Sequence, residues 1–351
     1  LAQACREYGL RFGVYLSPWD RNQPDYGRPA YLDYYRGQLR ELMTGYGDLF
    51  EVWFDGANGG DGYYGGAREK RTIDGATYYD WPRTWAIVRE LQPRAVMFSD
   101  AGPDVRWVGN ERGIAFDTSW DAITLAGLYP GAPGYGRVAA GAPEGADWAP
   151  PEVDVSIRPG WFYHPAEDAQ VKSLDRLVEI YEQSVGRGAS LLLNVPPDRR
   201  GLIADADAAR LRELGATIAA TYADDLARRA RATSTEIRGA AAAFAASHVN
   251  DGDNASYWAT DDGVTSASIE LTWPQPVTFS RLVLQEEIAL GQRVEKWTAD
   301  AFANGHWVAI AEGTTIGHKR IARVHPTETS RVRVTFQARA CPVISTIGVY
   351  R

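Results

Sequence analysis

From residue 1 to about residue 228, short apolar runs alternate with segments of helical period. The runs are residues 11–16, 49–54, 95–99, 114–118, 153–157 and 190–194. None alternates strictly between apolar and polar, which is the pattern of strands buried on both faces. The segments between them predict helices over residues 31–44, 82–91 and 166–185, the last with Val171, Leu174, Leu177, Val178 and Tyr181 along one stripe. Gly45 and Gly186 stop two of these helices. Strands alternating with helices predict a parallel sheet with helices outside it. A closed barrel holds eight such units in about 250 residues, and six strands in roughly 200 residues fit a (β/α)8-like TIM barrel lacking its first two units. An open doubly wound sheet is the competing architecture, but no G-x-G-x-x-G turn follows a strand.

Two segments interrupt the alternation. "DGYYGGAREKRTIDGATYYDW" follows Asp55, and "LYPGAPGYGRVAAGAPEGADWAPP" precedes Val153. In a barrel both follow strands and would lie at the C-terminal mouth, where loops build the site. Residues 202–232 read as a closing helix and linker. Beyond them the texture changes: Ile269, Leu271 and Trp273 alternate with polar residues, as do Val332, Val334 and Phe336, and Asn304-Gly305 marks a hairpin. Short strands and turns predict an all-β domain, a β-sandwich. The expected domains are therefore 1–232 and 233–351.

The first residues place Leu1, Cys5 and Tyr8 on one helical face, with Gly9 as the stop. The sequence begins inside a predicted helix and is expected to be the C-terminal part of a longer protein, so no leader can be read from it.

Composition narrows the chemistry. The net charge is −8 and no basic stripe is present, which argues against a nucleic-acid partner. No apolar run approaches the ~18 residues of a membrane span. Two cysteines, Cys5 and Cys341, and five scattered histidines give no disulfide framework and no zinc spacing. Tryptophan is abundant, with twelve residues in all. Flat aromatic faces suit the C–H faces of pyranose rings, so this composition points toward sugar.

Two carboxylates stand out. Asp55 ends an apolar run and is flanked by Trp53 and Phe54. At the C-terminal end of a barrel strand it would point into the mouth, although Asp-Gly is also a common turn dipeptide. Glu111, in "GPDVRWVGNERG", lies in a later loop, where a solvated glutamate is the ordinary alternative. Paired carboxylates on separate mouth loops are what glycoside hydrolysis needs: an ionised nucleophile and a protonated acid, about 5–5.5 Å apart where configuration is retained. Trp107 is placed to provide the apolar surroundings that raise an acid's pKa.

The segments "FGVYLSPWDRN", "EVWFDGANG", "RWVGNERG", "RPGWFYH" and "LLLNVPPDRRGLI" occur in this order. Together they resemble the retaining α-L-fucosidases of glycoside hydrolase family 29, over most of residues 1–228. The resemblance implies a (β/α)8-like catalytic domain, Asp55 as nucleophile and Glu111 as acid/base. Its G-N-E segment implies the subgroup acting on α-1,3/α-1,4-linked fucose in branched glycans. It implies substrate contacts from Tyr15, Trp53 and Trp161; Arg106 is expected to pair with Glu111 or a substrate hydroxyl, with a surface salt bridge as the ordinary alternative. Trp53 and Trp161 could equally be core. His164 is expected to be structural, and Asn194 to lie near the site floor. The family's fucose-binding histidines, an H-W-G segment and an H-H pair on the first two strands, have no counterpart in this sequence. No cofactor is expected. The C-terminal region resembles a discoidin-like (coagulation-factor 5/8 type C, CBM32-like) sandwich, in which Asp251 and Asp253 could hold calcium or simply form a turn, and Trp258 would be core. The expected partners are fucosylated oligosaccharides or glycoconjugates, with oligomeric state open, and the expected location is secreted or periplasmic. A non-catalytic carbohydrate-binding protein is the alternative from another class, and an inactive fragment of a fucosidase is the other alternative for this chain. An α-galactosidase-like exo-glycosidase would share the barrel but not these segments.

Overall fold

The computed structural model describes residues 1–56, 60–253 and 255–351. The chain divides into two compact units, residues 1–109 with 122–150, and residues 110–121 with 151–351.

The first unit opens with helix α1 (Ala2–Glu7), which ends before Gly9 in the left-handed region. Strand β1 (Val14–Tyr15) follows, then helix α2 (Pro29–Gly45). Pro29 starts α2 where a missing N–H costs nothing. Tyr31, Tyr35, Leu39 and Met43 recur every four residues and bury one face of it. Strand β2 (Glu51–Trp53) leads to a hairpin, β3 (Gly62–Tyr64) with β4 (Glu69–Arg71), inside the first interrupting segment. Helix α3 (Trp81–Leu91) buries Trp81, Thr84, Ile87 and Val88. Strands β5 (Val96–Ser99) and β6 (Val105–Trp107) come next. Strands β1, β2, β5 and β6 pair in that order, all parallel, with Tyr15 opposite Trp53, Trp53 opposite Phe98, and Phe98 opposite Val105. A small antiparallel pair, β7 (Ala122–Ile123) and β8 (Asp147–Trp148), organises the second interrupting segment. The core of this unit gathers Leu39, Met43, Val52, Phe54, Val88 and Met97 with a group of buried tyrosines.

The second unit contains strand β9 (Pro151–Ser156), helix α4 (Leu174–Ser184), strand β10 (Ser190–Asn194) and helix α5 (Asp205–Thr221). β9 is buried along its whole length and pairs parallel with β10. Val155, Ile157, Leu177, Ile180 and Leu214 pack between strand and helices.

An antiparallel sheet completes this unit: β11 (Arg231–Ser234), β12 (Trp258–Ala259), β13 (Ser266–Glu286), β14 (Val294–Ala303), β15 (His306–Gly313), β16 (Arg320–Ala338) and β17 (Val343–Tyr350). The order is β12-β17-β13-β16-β14-β15, with β11 also on β13. The long strand β13 pairs β11 through residues 269–272 and β17 through residues 281–286. Its ladder with β16 breaks between Thr272 and Val277, where Pro274 and Pro276 have no N–H to give. Trp258, Trp297, Phe279, Phe336 and the inward residues of "SIELTW" and "RVRVTF" form one core, to which Leu226 and Ala227 also belong.

Two sequence expectations need correction. Residues 114–118 form no strand; the parallel strand of that region is β6 at Val105–Trp107. Its centre is a buried arginine, so an apolar-run search passes over it. The predicted helix over 166–185 is instead a 3-10 turn (Pro165–Gln170) followed by α4, because Ser173 caps a new start by accepting from the Arg176 N–H.

Candidate active site

In the first unit the apolar strand β2 ends and delivers Asp55. Phe54 stays in the sheet, its N–H donating to the Phe98 carbonyl, and its ring is fully buried against Trp81. The Asp55 carboxylate then accepts the Tyr15 hydroxyl at 2.5 Å through Oδ2. Tyr15 ends the neighbouring strand β1, opposite Trp53. Their rings stack at 5.2 Å, and Trp53 stacks on Phe98 at 4.0 Å. Three adjacent parallel strands thus lay a continuous aromatic column beside one carboxylate. Burial, and then the bond to Asp55, push the Tyr15 hydroxyl pKa well up, so it stays a donor throughout the physiological range.

A second acid of this unit was not among the sequence candidates. Asp100 follows β5 just as Asp55 follows β2. Its Oδ2 accepts the Gly131 N–H at 2.9 Å, and the Gly56 N–H also hydrogen-bonds to its carboxylate. Burial raises its pKa, and the charge of Asp55 raises it further. A Cβ at Gly56 would fall 1.9 Å from Asp100 Oδ1, so the glycine is what lets Asp100 approach. The Asp-Gly pair read as a possible turn is therefore a close-approach device at a strand end. The available signal was a repeated pattern, an apolar run closing on aspartate in both "VWFDG" and "MFSDAG".

Arg106, expected to pair with Glu111 or a substrate hydroxyl, lies at the centre of β6. It is fully buried, and its guanidinium donates to the carbonyls of Ala139 (3.2 Å) and Ala149. An arginine at the centre of a strand can serve the loop carbonyls packed on that strand, which its sequence position does not reveal. Trp107 is half-buried, and its carbonyl accepts the Tyr135 hydroxyl at 2.7 Å.

In the second unit Glu111 is exposed, and its Oε2 accepts the Trp161 indole N–H at 3.3 Å. The local chain is turned by Asn110, whose side chain donates to the Ile114 carbonyl and accepts from the Arg112 N–H, both at 3.1 Å. Gly113 adopts φ +71°, and a Cβ there would press on Val155 and Ile180. Trp161 is itself held by the strand ends. Asn194, which ends β10, donates to the Trp161 carbonyl (3.1 Å) and to Ser156 Oγ (3.0 Å), and Ser156 Oγ donates to the Gly160 carbonyl (2.6 Å). Asn194 therefore supports the tryptophan that meets Glu111. The turn after β9 is further fixed by Arg158, fully buried between Asp207 and Asp168 at 2.8 Å from each. His164 is exposed, and its carbonyl accepts from Arg158 (3.4 Å) and from the Glu167 N–H (3.0 Å).

In the C-terminal sheet Asp251 and Asp253 make a turn. Asp251 accepts the Asp253 N–H and the Ser256 hydroxyl, and Asp253 accepts the Ala255 N–H. Trp258 is fully buried and donates to the Glu236 carbonyl. Among the described residues no cluster of three or more His, Cys, Asp or Glu side chains is arranged to hold a metal ion. Among the described residues no helix is long and apolar enough to cross a membrane.

A family model described as Alpha-L-fucosidase matches residues 1–221. A model described as a domain of unknown function matches residues 219–349, so the discoidin-like expectation finds no counterpart in that description. The Arabidopsis thaliana protein named Alpha-L-fucosidase 1 is 39% identical over 359 residues, covering all of this chain and 68% of that protein. A protein of Oryza sativa subsp. japonica is 41% identical over 356 residues and is covered to 66%. The chain thus spans about two thirds of the length of these curated relatives. Among solved structures, a glycoside hydrolase 29 family member from an unknown rumen bacterium has a TM-score of 0.83 at 40% identity, covering all of this chain and 59% of that one. A Ruminococcus gnavus GH29 fucosidase in complex with fucose has a TM-score of 0.87 at 30% identity, covering all of this chain and 74% of that one.

Proposed function

This chain belongs to the alpha-L-fucosidase family, and on that premise we propose that the protein carrying it is a retaining exo-glycosidase that releases α-L-fucose from fucosylated glycans. Asp55 is the nucleophile and Glu111 the acid/base. The observation that carries the reading is the Asp55 carboxylate at the end of β2, oriented by the Tyr15 hydroxyl beside a column of aromatic rings.

In the first step an Asp55 oxygen attacks the anomeric carbon as the bond to the aglycone oxygen breaks, and Glu111 gives that oxygen its proton. In the second, Glu111 takes a proton from water; the water oxygen bonds to the anomeric carbon and the Asp55 ester is released. The Tyr15 donor keeps Asp55 in one orientation. The Trp161 N–H holds one oxygen of the Glu111 side chain in place. The mechanism calls for no cofactor.

The finer reading rests on the resemblance. The G-N-E segment ending at Glu111 supports a preference for α-1,3/α-1,4-linked fucose, and such glycans support a secreted or periplasmic location. The order of parallel strands supports a (β/α)8-like barrel, and the antiparallel sheet a discoidin-like module.

The test is kinetic. Asp55→Ala should lower turnover of an α-1,4-fucosyl oligosaccharide and of an aryl fucoside alike, by about 10³-fold or more. Glu111→Ala should slow the oligosaccharide by roughly 10²–10⁴-fold, an aryl fucoside with a good leaving group far less, and azide should rescue it. Equal losses for both substrates with no azide rescue would remove Glu111 from its role. Glycan binding without turnover in the parent protein would make this a carbohydrate-binding protein instead.

A further inference from the structure

We propose that Gln292, in the C-terminal antiparallel domain, is a positioning residue for the loop that carries Glu111. The inference rests on the reading of Glu111 as acid/base and gives the domain of unknown function a task in the reaction.

The segment after Glu111, through Asp121, contains no helix or strand. Its backbone groups must find partners elsewhere, because buried N–H and C=O groups are costly when unpaired. The partners come from two places. Near Glu111, the Ala115 N–H donates to the Gln183 carbonyl (2.9 Å) and the Ala115 carbonyl accepts from Arg187 (2.6 Å). Farther along, they come from the C-terminal domain. The Asp117 carbonyl accepts from Arg320 (3.0 Å) and Thr314 (3.2 Å), and the Ser119 N–H donates to Thr315 Oγ1 (3.0 Å). The last clasp is one side chain. Gln292 Nε2 donates to the Ser119 carbonyl at 2.8 Å, while Gln292 Oε1 accepts the Asp121 N–H at 2.9 Å. The amide thus satisfies two backbone groups as a neighbouring strand would. Ser119, Trp120 and Asp121 are buried there.

Gln292 is itself held from behind. The fully buried Glu286 accepts the N–H groups of Arg293 and Val294 through Oε1 and of Gly317 through Oε2. The short turn carrying Gln292 is therefore fixed at its base and grips the loop at its tip. Ser119 and Asp121 lie eight and ten positions after Glu111, whose own turn is closed by Asn110. An acid/base must return to the same place in both halves of the reaction, and a shift of about 1 Å can cost on the order of 10²-fold.

The experiment compares Gln292→Ala with wild type in the protein that carries this chain. Thr315→Val serves as a milder second variant that removes one loop bond and keeps the shape. Hydrogen exchange in peptides spanning residues 110–121 should quicken by roughly tenfold in Gln292→Ala, as expected for a loss of one to two modest hydrogen bonds. It should quicken less in Thr315→Val. For a fucosyl oligosaccharide, kcat should fall about 10- to 100-fold with KM changed little, and the loss should shrink for an aryl fucoside with a good leaving group. Unchanged exchange at 110–121 in both folded variants overturns the clasp, whatever Glu111 does. Faster exchange with equal losses for both leaving groups overturns the positioning role, even if Glu111→Ala itself behaves as an acid/base variant.

Discussion

At the scale of single residues, the site of the first unit depends on a missing side chain. Gly56 leaves room for Asp100 to reach the backbone directly behind Asp55. Gly56→Ala should force that carboxylate away. Overpacking of this kind costs about 1–3 kcal/mol, so Tm should drop by several degrees and kcat should fall with the displaced Asp55; thermal denaturation alongside aryl-fucoside kinetics would check both. Asp55 was legible because an apolar run that stops on a carboxylate is unusual in a linear pattern. Asp100 was not, because its significance lies in which backbone group it meets, a fact of neighbouring strands rather than of spacing. Arg106 shows another limit of the linear pattern: it gives no sign that the side chain is fully buried and donates to the Ala139 and Ala149 carbonyls.

At the scale of elements, patterns with a long period were readable and those decided by one residue were not. α2 and α3 declare themselves through apolar residues on one face. The split before α4 turns on Ser173, whose hydroxyl outbids continuation of the helix by capping a fresh start. Ser173→Ala should destabilise the chain by about 1 kcal/mol, a typical cap value, measurable as a lower midpoint in urea with an unchanged slope. β6 escaped notice for a related reason: only Val105 and Trp107 flank its buried arginine, too short a run to register as apolar. In the C-terminal sheet, by contrast, alternation was clear along β13 and β16, and the two prolines that interrupt the ladder sit where the chain must bend.

At the scale of the whole molecule, stability should carry an unusual pH signature from Glu286. Burial pushes its pKa up to about 7, with the charge of Asp121 adding to the effect, against three backbone N–H groups that favour the ionised form. The folded state therefore holds a proton that the unfolded chain releases. That contribution is fully present below the unfolded value of 4.5 and is lost as pH rises toward about 7. At about 1.4 kcal/mol per unit, the loss is ~3 kcal/mol. Wild type should become less stable between those pH values, and Glu286→Gln should flatten that slope; chemical denaturation at pH 4.5, 6 and 7.5 would measure it. A slope unchanged by the substitution would remove Glu286 as its source.

The clasp on the Glu111 loop also sets a timetable. Gln292 lies 171 residues downstream of Asp121 and 173 downstream of Ser119. A ribosome adding roughly 5–20 residues per second needs about ten seconds or more to make that stretch. Throughout that interval the nascent chain can complete its parallel strands and the contacts of Ala115 with Gln183 and Arg187, but it lacks the clasp on Ser119 and Asp121. The far end of the Glu111 loop would thus be among the last features of the molecule to settle, so a polypeptide interrupted late in synthesis would carry the β2 strand end assembled and that loop end unfastened.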